Sequence, residues 1–223
     1  APGETNDQLF VWIPEKKALF PGDNFYKTFP NLYTIRGTPY RDLAGWVNSI
    51  DMMRYLEPEY LIPSHTRPIS GKEEIYKVLT TYRDGIQYVH DQTIRMMNLG
   101  MGPDEIAEKI SLPKHLGDSP FLKEFYGSPE WSARNVFSGY LGWFDGNPST
   151  LKPLPRIEEA NNFIGLAGGW QNLFDIAEES FKKEQYQWAL QLTDYLQLTD
   201  YLLLSKPNNK ETTILRKSCL QAL

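Results

Sequence analysis

Three side chains capable of metal chemistry stand beside short apolar segments of the sequence. Glu4 lies just before one such segment, Asp23 follows another, and His65 comes directly after a third, within YLIPSHTRPISG. The carboxyl ends of parallel strands meet at one sheet edge, and two carboxylates with an imidazole suit a divalent metal used in hydrolysis. Taken alone, the same residues also fit turn acids and a capping histidine, because turns favour Asp. Both interpretations stay open at this point.

A long loop between two predicted elements carries further polar groups. Residues 25–39 contain Asn31 and Arg36 in the stretch NLYTIRG, and long loops in compact domains usually serve a site. The planar guanidinium of arginine suits a sulfate or phosphate oxyanion, and an amide adds another donor. An ion-paired surface arginine is the alternative for Arg36. The polar groups of this loop favour an anion-binding site next to the candidate metal ligands.

The remaining histidines and the one cysteine give weaker signals. His90 falls inside a predicted long helix beside Asp91, and His115 lies in a turn flanked by Pro and Gly. A lone histidine in either setting is typically structural. The single cysteine, Cys219, excludes an internal disulfide and zinc modules of four cysteines or of two cysteines and two histidines.

The first part of the chain alternates strand and helix patterns. Apolar, β-rich runs at residues 9–13, 18–20 and 60–62 predict three buried strands. Apolar residues at helical spacing predict a helix over 41–56, which ends before Pro58. Strand, helix, strand is α/β organisation.

Beyond Gly71 the strand patterns stop, and we expect an all-α region. We therefore predict two domains, residues 1–72 and residues 73–223. Helices are predicted over 73–97, 103–110, 130–141, 157–166, 170–182, 185–204 and 210–222.

The segment QLTDYL occurs at 191–196 and again at 197–202. Six extra helical residues rotate the part of the helix that follows them by about 120°.

Composition limits the classes of function. The 223 residues are 41% hydrophobic and 23% charged, which is typical of a folded chain. A net charge of −5 without any block of five like charges argues against a nucleic-acid partner. The apolar runs are too short for a transmembrane helix. Because no initiator Met or basic leader opens the chain, we expect a piece of a longer protein and leave its compartment open.

Seven segments in register over essentially the whole chain resemble one family. They are APGETNDQLFVW, LFPGDNFY, FPNLYTIRGTPYRD, PSHTRPISG, IQYVHDQT, PDEIAEKI and YLGWFDGNP. The chain is similar to the metallo-β-lactamase-fold alkyl sulfatases, which hydrolyse alkyl sulfate esters such as dodecyl sulfate. The resemblance implies an α/β part followed by an all-α part. Residues 1–72 would be the C-terminal part of the αββα catalytic sandwich and residues 73–223 the helical dimerisation domain, without the sterol-carrier-like domain that normally follows.

The resemblance also implies roles for individual residues. The family binds two zinc ions: Glu4 matches a ligand of one zinc, His65 a ligand of the other, and Asp23 the bridging carboxylate, where members often have Glu. Asn31 and Arg36 match the residues that hold the sulfate group. Some members carry a histidine, proposed as proton donor, where this chain has Trp131, which leaves the general acid unassigned.

The HxHxDH motif, which supplies the family's other zinc ligands, does not occur in these 223 residues. We therefore expect the full-length parent to hydrolyse alkyl sulfates to an alcohol and sulfate with two zinc ions. We expect it to form a homodimer through the helical domain. The isolated chain should be inactive, because its ligands are too few to retain zinc tightly.

Two other functions remain open at the level of sequence. One is a different hydrolase of the metallo-β-lactamase fold, such as a lactonase, thioesterase or phosphodiesterase, because fold alone does not define the substrate. The other is a non-catalytic helical interaction protein, since FKKEQYQWALQLTDYL resembles a tetratricopeptide-type hairpin. Stable arrays of that kind generally need at least three repeats.

Overall fold

The computed structural model describes residues 1–200 and 209–223, with the side chains of residues 199 and 200 left aside. It contains two compact units, Ala1–Asn147 and Pro148–Leu223. The end of the predicted helix over 185–204 and the end of the second QLTDYL segment lie outside the described residues.

A small mixed sheet opens the first unit. The outer pairs are antiparallel, while the two central strands run parallel with Leu19 opposite Leu61. This parallel pair brings two strand ends to one edge, and Asp23 and His65 follow those ends. In spatial order the strands are β1 (Val11–Ile13), β2 (Ala18–Phe20), β3 (Tyr60–Leu61) and β4 (Ile69–Ser70).

The three predicted strands are confirmed in position, but the prediction that the first is buried was wrong. Val11 is 49% exposed, whereas Leu19 and Leu61 of the central strands are fully buried. The reason is that β1 is an edge strand, pairing only with β2 among the described residues. Strand β4 was not predicted, because two residues are too few to show an alternating pattern.

Helix α1 (Leu43–Tyr55) connects the two parallel strands and supports the site. It begins at Asp42, whose carboxylate accepts a hydrogen bond from the Ala44 amide at 3.1 Å and so satisfies an otherwise unpaired donor. Trp46 is fully buried, and its indole N–H donates to the Asn24 carbonyl oxygen at 3.0 Å. That hydrogen bond holds the turn that carries Asp23.

Four further helices complete the first unit. The long helix α2 (Lys72–Asn98) packs against α1 and against the third and fifth helices of the unit. Tyr82 of α2 shares one buried core with Leu19 of the sheet and Trp46 of α1. Packing is therefore continuous across residue 72, and the domain division of 1–72 and 73–223 stays a prediction. The helices are α2 (Lys72–Asn98), α3 (Pro103–Lys109), α4 (Lys114–Gly117) and α5 (Pro129–Leu141).

The second unit is a set of helices with its own core. Leu192, Leu196 and Cys219 are almost fully buried there, and burial raises the pKa of the Cys219 thiol. The helices are α6 (Arg156–Leu166), α7 (Trp170–Lys182), α8 (Tyr186–Asp200) and α9 (Lys210–Ala222), and α8 packs against the other three. Within the described ranges, no helix has the length and apolar character needed to cross a membrane.

Gly127 is pressed against the backbone of the loop that follows β2. A Cβ added there would lie 2.1 Å from the Pro30 carbonyl oxygen and 2.9 Å from the Asn31 Cα. We expect Gly127→Ala to lower the free energy of unfolding by about 1–3 kcal/mol, because backbone atoms cannot move aside as a flexible side chain can. Urea unfolding of both variants measures this.

The matched control is Gly117→Ala, whose added Cβ would meet the Leu112 carbonyl oxygen at an ordinary 3.7 Å. The control should change stability by less than about 0.5 kcal/mol. Equal destabilisation by the two substitutions would contradict the close approach.

Candidate metal and oxyanion site

One cavity of the first unit brings together all three predicted metal ligands and one of the two predicted sulfate residues. Its volume is about 640 Å³. Glu4, Asp23, His65 and Arg36 all line it, although they come from four separate stretches of the chain. The predicted convergence at the sheet edge is thus present in the structure.

Asp23 and His65 face each other across this edge. Asp23 lies in a 3₁₀ turn, Gly22–Asn24, directly after β2, and its Oδ1 is 3.2 Å from His65 Nε2. This oxygen is buried and has no well-aligned hydrogen-bond donor within the described residues. The imidazole is 69% exposed. The pair therefore presents a carboxylate oxygen and a ring nitrogen that share an open side.

Glu4 is held in the cavity by Arg41. Glu4 Oε1 lies 3.2 Å from Arg41 Nη2, and the Glu4 amide donates to Asn24 Oδ1 at 3.1 Å. Partial burial raises the pKa of Glu4, and the neighbouring Asp23 raises it further, while the Arg41 charge opposes both. Arg41 is only 5% exposed and also donates to the Asn31 carbonyl oxygen. Arg41 thus joins the N-terminal segment to the loop.

The two predicted sulfate-binding residues lie in different surroundings. Arg36 lines the cavity, is exposed, and forms no ion pair with any described residue. Asn31 is buried and is not among the residues that line the cavity. Its backbone N–H donates to the Tyr26 hydroxyl at 2.8 Å, and its side-chain Oδ1 lacks a hydrogen-bond partner among the described residues. A sulfate contact through Asn31 stays a prediction.

Sequence reasoning missed several residues of the cavity. Arg41 directly precedes the Asp42 cap, and nothing in the local pattern distinguished it as a residue of the cavity. Lys27 and Tyr26 lie in the loop that was predicted to serve a site, but nothing in their pattern distinguished them. Tyr126 comes from the connection before α5, and its ring centroid lies 5.7 Å from that of Tyr26. Only tertiary packing places it there.

The donor set fits one side of a zinc site but does not complete a site. Carboxylate oxygens and an imidazole nitrogen are ligands that zinc takes in proteins, and the buried Asp23 oxygen, which has no well-aligned hydrogen-bond donor, is a group that a metal ion would satisfy. Within residues 1–200 and 209–223, however, no group of three or more His, Cys, Asp or Glu side chains is arranged to hold a metal ion. A metal ion bound at this place would need further ligands.

The other candidate residues lie outside this cavity. His90 sits on α2 with both ring nitrogens engaged, Nδ1 at 2.8 Å from Asp91 Oδ1 and Nε2 at 2.9 Å from the Tyr140 hydroxyl. The prediction that His115 lies in a turn was wrong, since His115 lies in the short helix α4, whose four residues are too few to show helical periodicity. Trp131 is on α5 and lines a second cavity. An indole has one N–H donor and no acid–base group near neutral pH, so the general acid remains unassigned.

The fold is α/β followed by all-α, and comparison with known proteins identifies the family. The family model described as alkyl sulfatase dimerisation matches residues 102–223, which is more than half of the chain. This chain belongs to that family.

Curated relatives agree with the match. The chain is 41% identical over 196 residues to a linear primary-alkylsulfatase of Pseudomonas sp., an alignment covering 87% of this chain and 37% of the relative. It is 30% identical to the alkyl/aryl-sulfatase BDS1 of Saccharomyces cerevisiae over all of this chain and 34% of that protein. The chain thus spans about a third of the length of these relatives.

A solved structure of a double mutant of the sec-alkyl sulfatase PisA1 has the same architecture. It superposes with a TM-score of 0.91 at 28% identity, covering 99% of this chain and 34% of the other. The predicted resemblance to alkyl sulfatases and the predicted fold class are confirmed.

Proposed function

We propose that this chain is the part of a zinc-dependent alkyl sulfatase that carries one wall of the active site. The observation that supports this proposal most strongly is that one cavity is lined by Glu4, Asp23, His65 and Arg36. The relatives' names supply the reaction class, hydrolysis of an alkyl sulfate ester to an alcohol and inorganic sulfate. A substrate such as dodecyl sulfate combines an anionic head with an apolar tail.

Each residue of the wall has a distinct task in this proposal. Glu4, Asp23 and His65 would hold zinc together with ligands from the rest of the protein. Bound zinc lowers the pKa of a coordinated water, so that hydroxide is available near neutral pH. Arg36 would hold the sulfate oxygens through parallel N–H donors, and Arg41 keeps the Glu4 carboxylate in place through the 3.2 Å ion pair.

The proposal includes a homodimer formed through the helical region. It is supported by the match of residues 102–223 to a dimerisation family. In the chain by itself, self-association would be the activity that remains, since the ligands of the HxHxDH motif are missing from the sequence.

The test uses a longer protein in which an HxHxDH segment precedes these residues. We expect it to hydrolyse dodecyl sulfate and to contain two zinc ions per chain. Replacing His65 with alanine should lower kcat/KM by at least about 100-fold, because loss of a metal ligand exceeds the effect of losing a residue that supports one. The 223-residue chain should show no hydrolysis.

His115→Ala is the matched control, because His115 lies on α4 and does not line the cavity. It should leave both zinc content and activity unchanged. Hydrolysis of a lactone, thioester or phosphodiester without any sulfatase activity would contradict the proposed substrate class.

A further inference from the structure

Lys27 is a cationic residue of the metal and oxyanion cavity to which the proposed function gives no task. It lines the same cavity as Arg36 and is exposed. Like Arg36, it forms no ion pair with any residue that the structure describes. Neither the family match nor the relatives' names assign a role to it.

The backbone on both sides of Lys27 is held in place. Before it, Tyr26 is buried. After it, the Thr28 hydroxyl and the Phe29 backbone N–H both donate to the Lys123 carbonyl oxygen, and the Phe29 side chain is fully buried. Because its neighbours are fixed, the Lys27 side chain starts from a fixed point in the wall of the cavity.

An aromatic ring also restricts the Lys27 ammonium group. Lys27 Nζ lies 5.5 Å from the centroid of the Phe121 ring, a distance at which the face of a ring attracts a cation. Such an attraction is weak at an exposed position, so it orients the ammonium group without neutralising it. The positive charge of Lys27 therefore stays available to an anion in the cavity.

The other charged groups of the cavity are already engaged. Arg41 is ion-paired with Glu4, and Asp23 is the carboxylate that faces the proposed metal. Lys27 and Arg36 are thus the cations of the lining that no carboxylate of the described residues neutralises. The Coulomb energy grows with the product of the charges, so two such cations attract an anion more strongly the more negative charge it carries.

The two anions of the proposed reaction differ in charge. A sulfate ester carries a single negative charge near neutral pH, whereas free sulfate carries two. We propose that Lys27 is a second cation of the oxyanion site and that, together with Arg36, it makes the cavity prefer dianionic sulfate to a monoanionic sulfate ester. The inference rests on the proposed function for its class of ligand. It adds a residue to the site and a preference for the product over the substrate.

Calorimetric titration of the 223-residue chain with sodium sulfate and with sodium methyl sulfate tests this preference. The ionic strength is kept low and constant, because salt screens exposed charges. The unchanged chain should bind sulfate more tightly than methyl sulfate. Lys27→Met should weaken sulfate binding about 4-fold and methyl sulfate binding about 2-fold, since an exposed ion pair contributes modestly and a dianion gains about twice the energy from it.

Two further variants show whether the charge and its place matter. Lys27→Arg keeps the charge, so it should keep the preference for sulfate. Lys77→Met is the matched control, because Lys77 is exposed on α2 and does not line the cavity. It should bind both anions like the unchanged chain.

Four results would overturn the proposal. They are unchanged sulfate binding in Lys27→Met, an equal loss for sulfate and methyl sulfate in that variant, a loss of the same size in Lys77→Met, and no preference for sulfate in the unchanged chain.

These titrations need neither zinc nor hydrolysis, so they are independent of the test of the proposed function. A longer protein that fails to hydrolyse dodecyl sulfate would refute the proposed function. A preference for sulfate that requires Lys27 would still establish the dianion site in that case.

Discussion

If the proposed function holds, replacing Arg36 with alanine in the longer protein is expected to lower kcat/KM for dodecyl sulfate about 100- to 1,000-fold. This is the usual effect of removing one preorganised donor from a site that stabilises developing negative charge. The Arg36 guanidinium lines the cavity with the metal candidates and forms no ion pair with the described residues, so it is available to the sulfate. Steady-state kinetics over a range of substrate concentrations measure the change.

Arg36→Lys and Arg67→Ala complete this experiment. Lysine keeps the charge but loses the planar pair of donors, so Arg36→Lys should fall between the unchanged enzyme and Arg36→Ala. Arg67 is exposed and does not line the cavity, so Arg67→Ala should leave the kinetics unchanged. Unchanged kcat/KM in Arg36→Ala would remove Arg36 from the sulfate site.

Arg41→Ala is expected to lower the free energy of unfolding by about 3 kcal/mol, because it leaves a partly buried carboxylate without its counter-charge. Arg41 is 5% exposed and joins the Glu4 carboxylate to the Asn31 carbonyl oxygen. Both acceptors would lose their donor. Urea unfolding followed by far-UV circular dichroism measures the loss.

A double-mutant cycle separates this ion pair from general packing. Once Arg41 is absent, changing Glu4 to glutamine removes the uncompensated charge, so the double variant should recover part of the lost stability. Strictly additive effects of the two substitutions would show that the two side chains do not interact.

The longer helices were predictable to within one or two residues at the ends that the structure describes, because their evidence is local, whereas the four-residue helix α4 was predicted as a turn. The helix predicted over 103–110 is observed as Pro103–Lys109, and those predicted over 170–182 and 210–222 have the observed bounds. Apolar spacing, an opening proline and a following breaker all lie within the segment itself. Exposure was less predictable, because β1 has the composition of a buried strand yet lies at the sheet edge.

The candidate site was predictable only in part, because local sequence patterns do not show which distant segments pack together. Asp23 and His65 follow strand ends that the parallel pairing brings together, so their convergence could be predicted. Contacts such as that between Asn135 and Leu32, which are 103 residues apart in the chain, depend on how the helices pack. No local pattern encodes them, and the burial of Asn31 in the loop was missed for this reason.

Anomalous X-ray diffraction at the zinc edge, on crystals of the longer protein, tests whether these residues hold zinc. We expect zinc in the cavity lined by Glu4, Asp23 and His65, with all three side chains among its ligands. Zinc peaks at another place, with Asp23 and His65 bonded only to each other or to water, would contradict it.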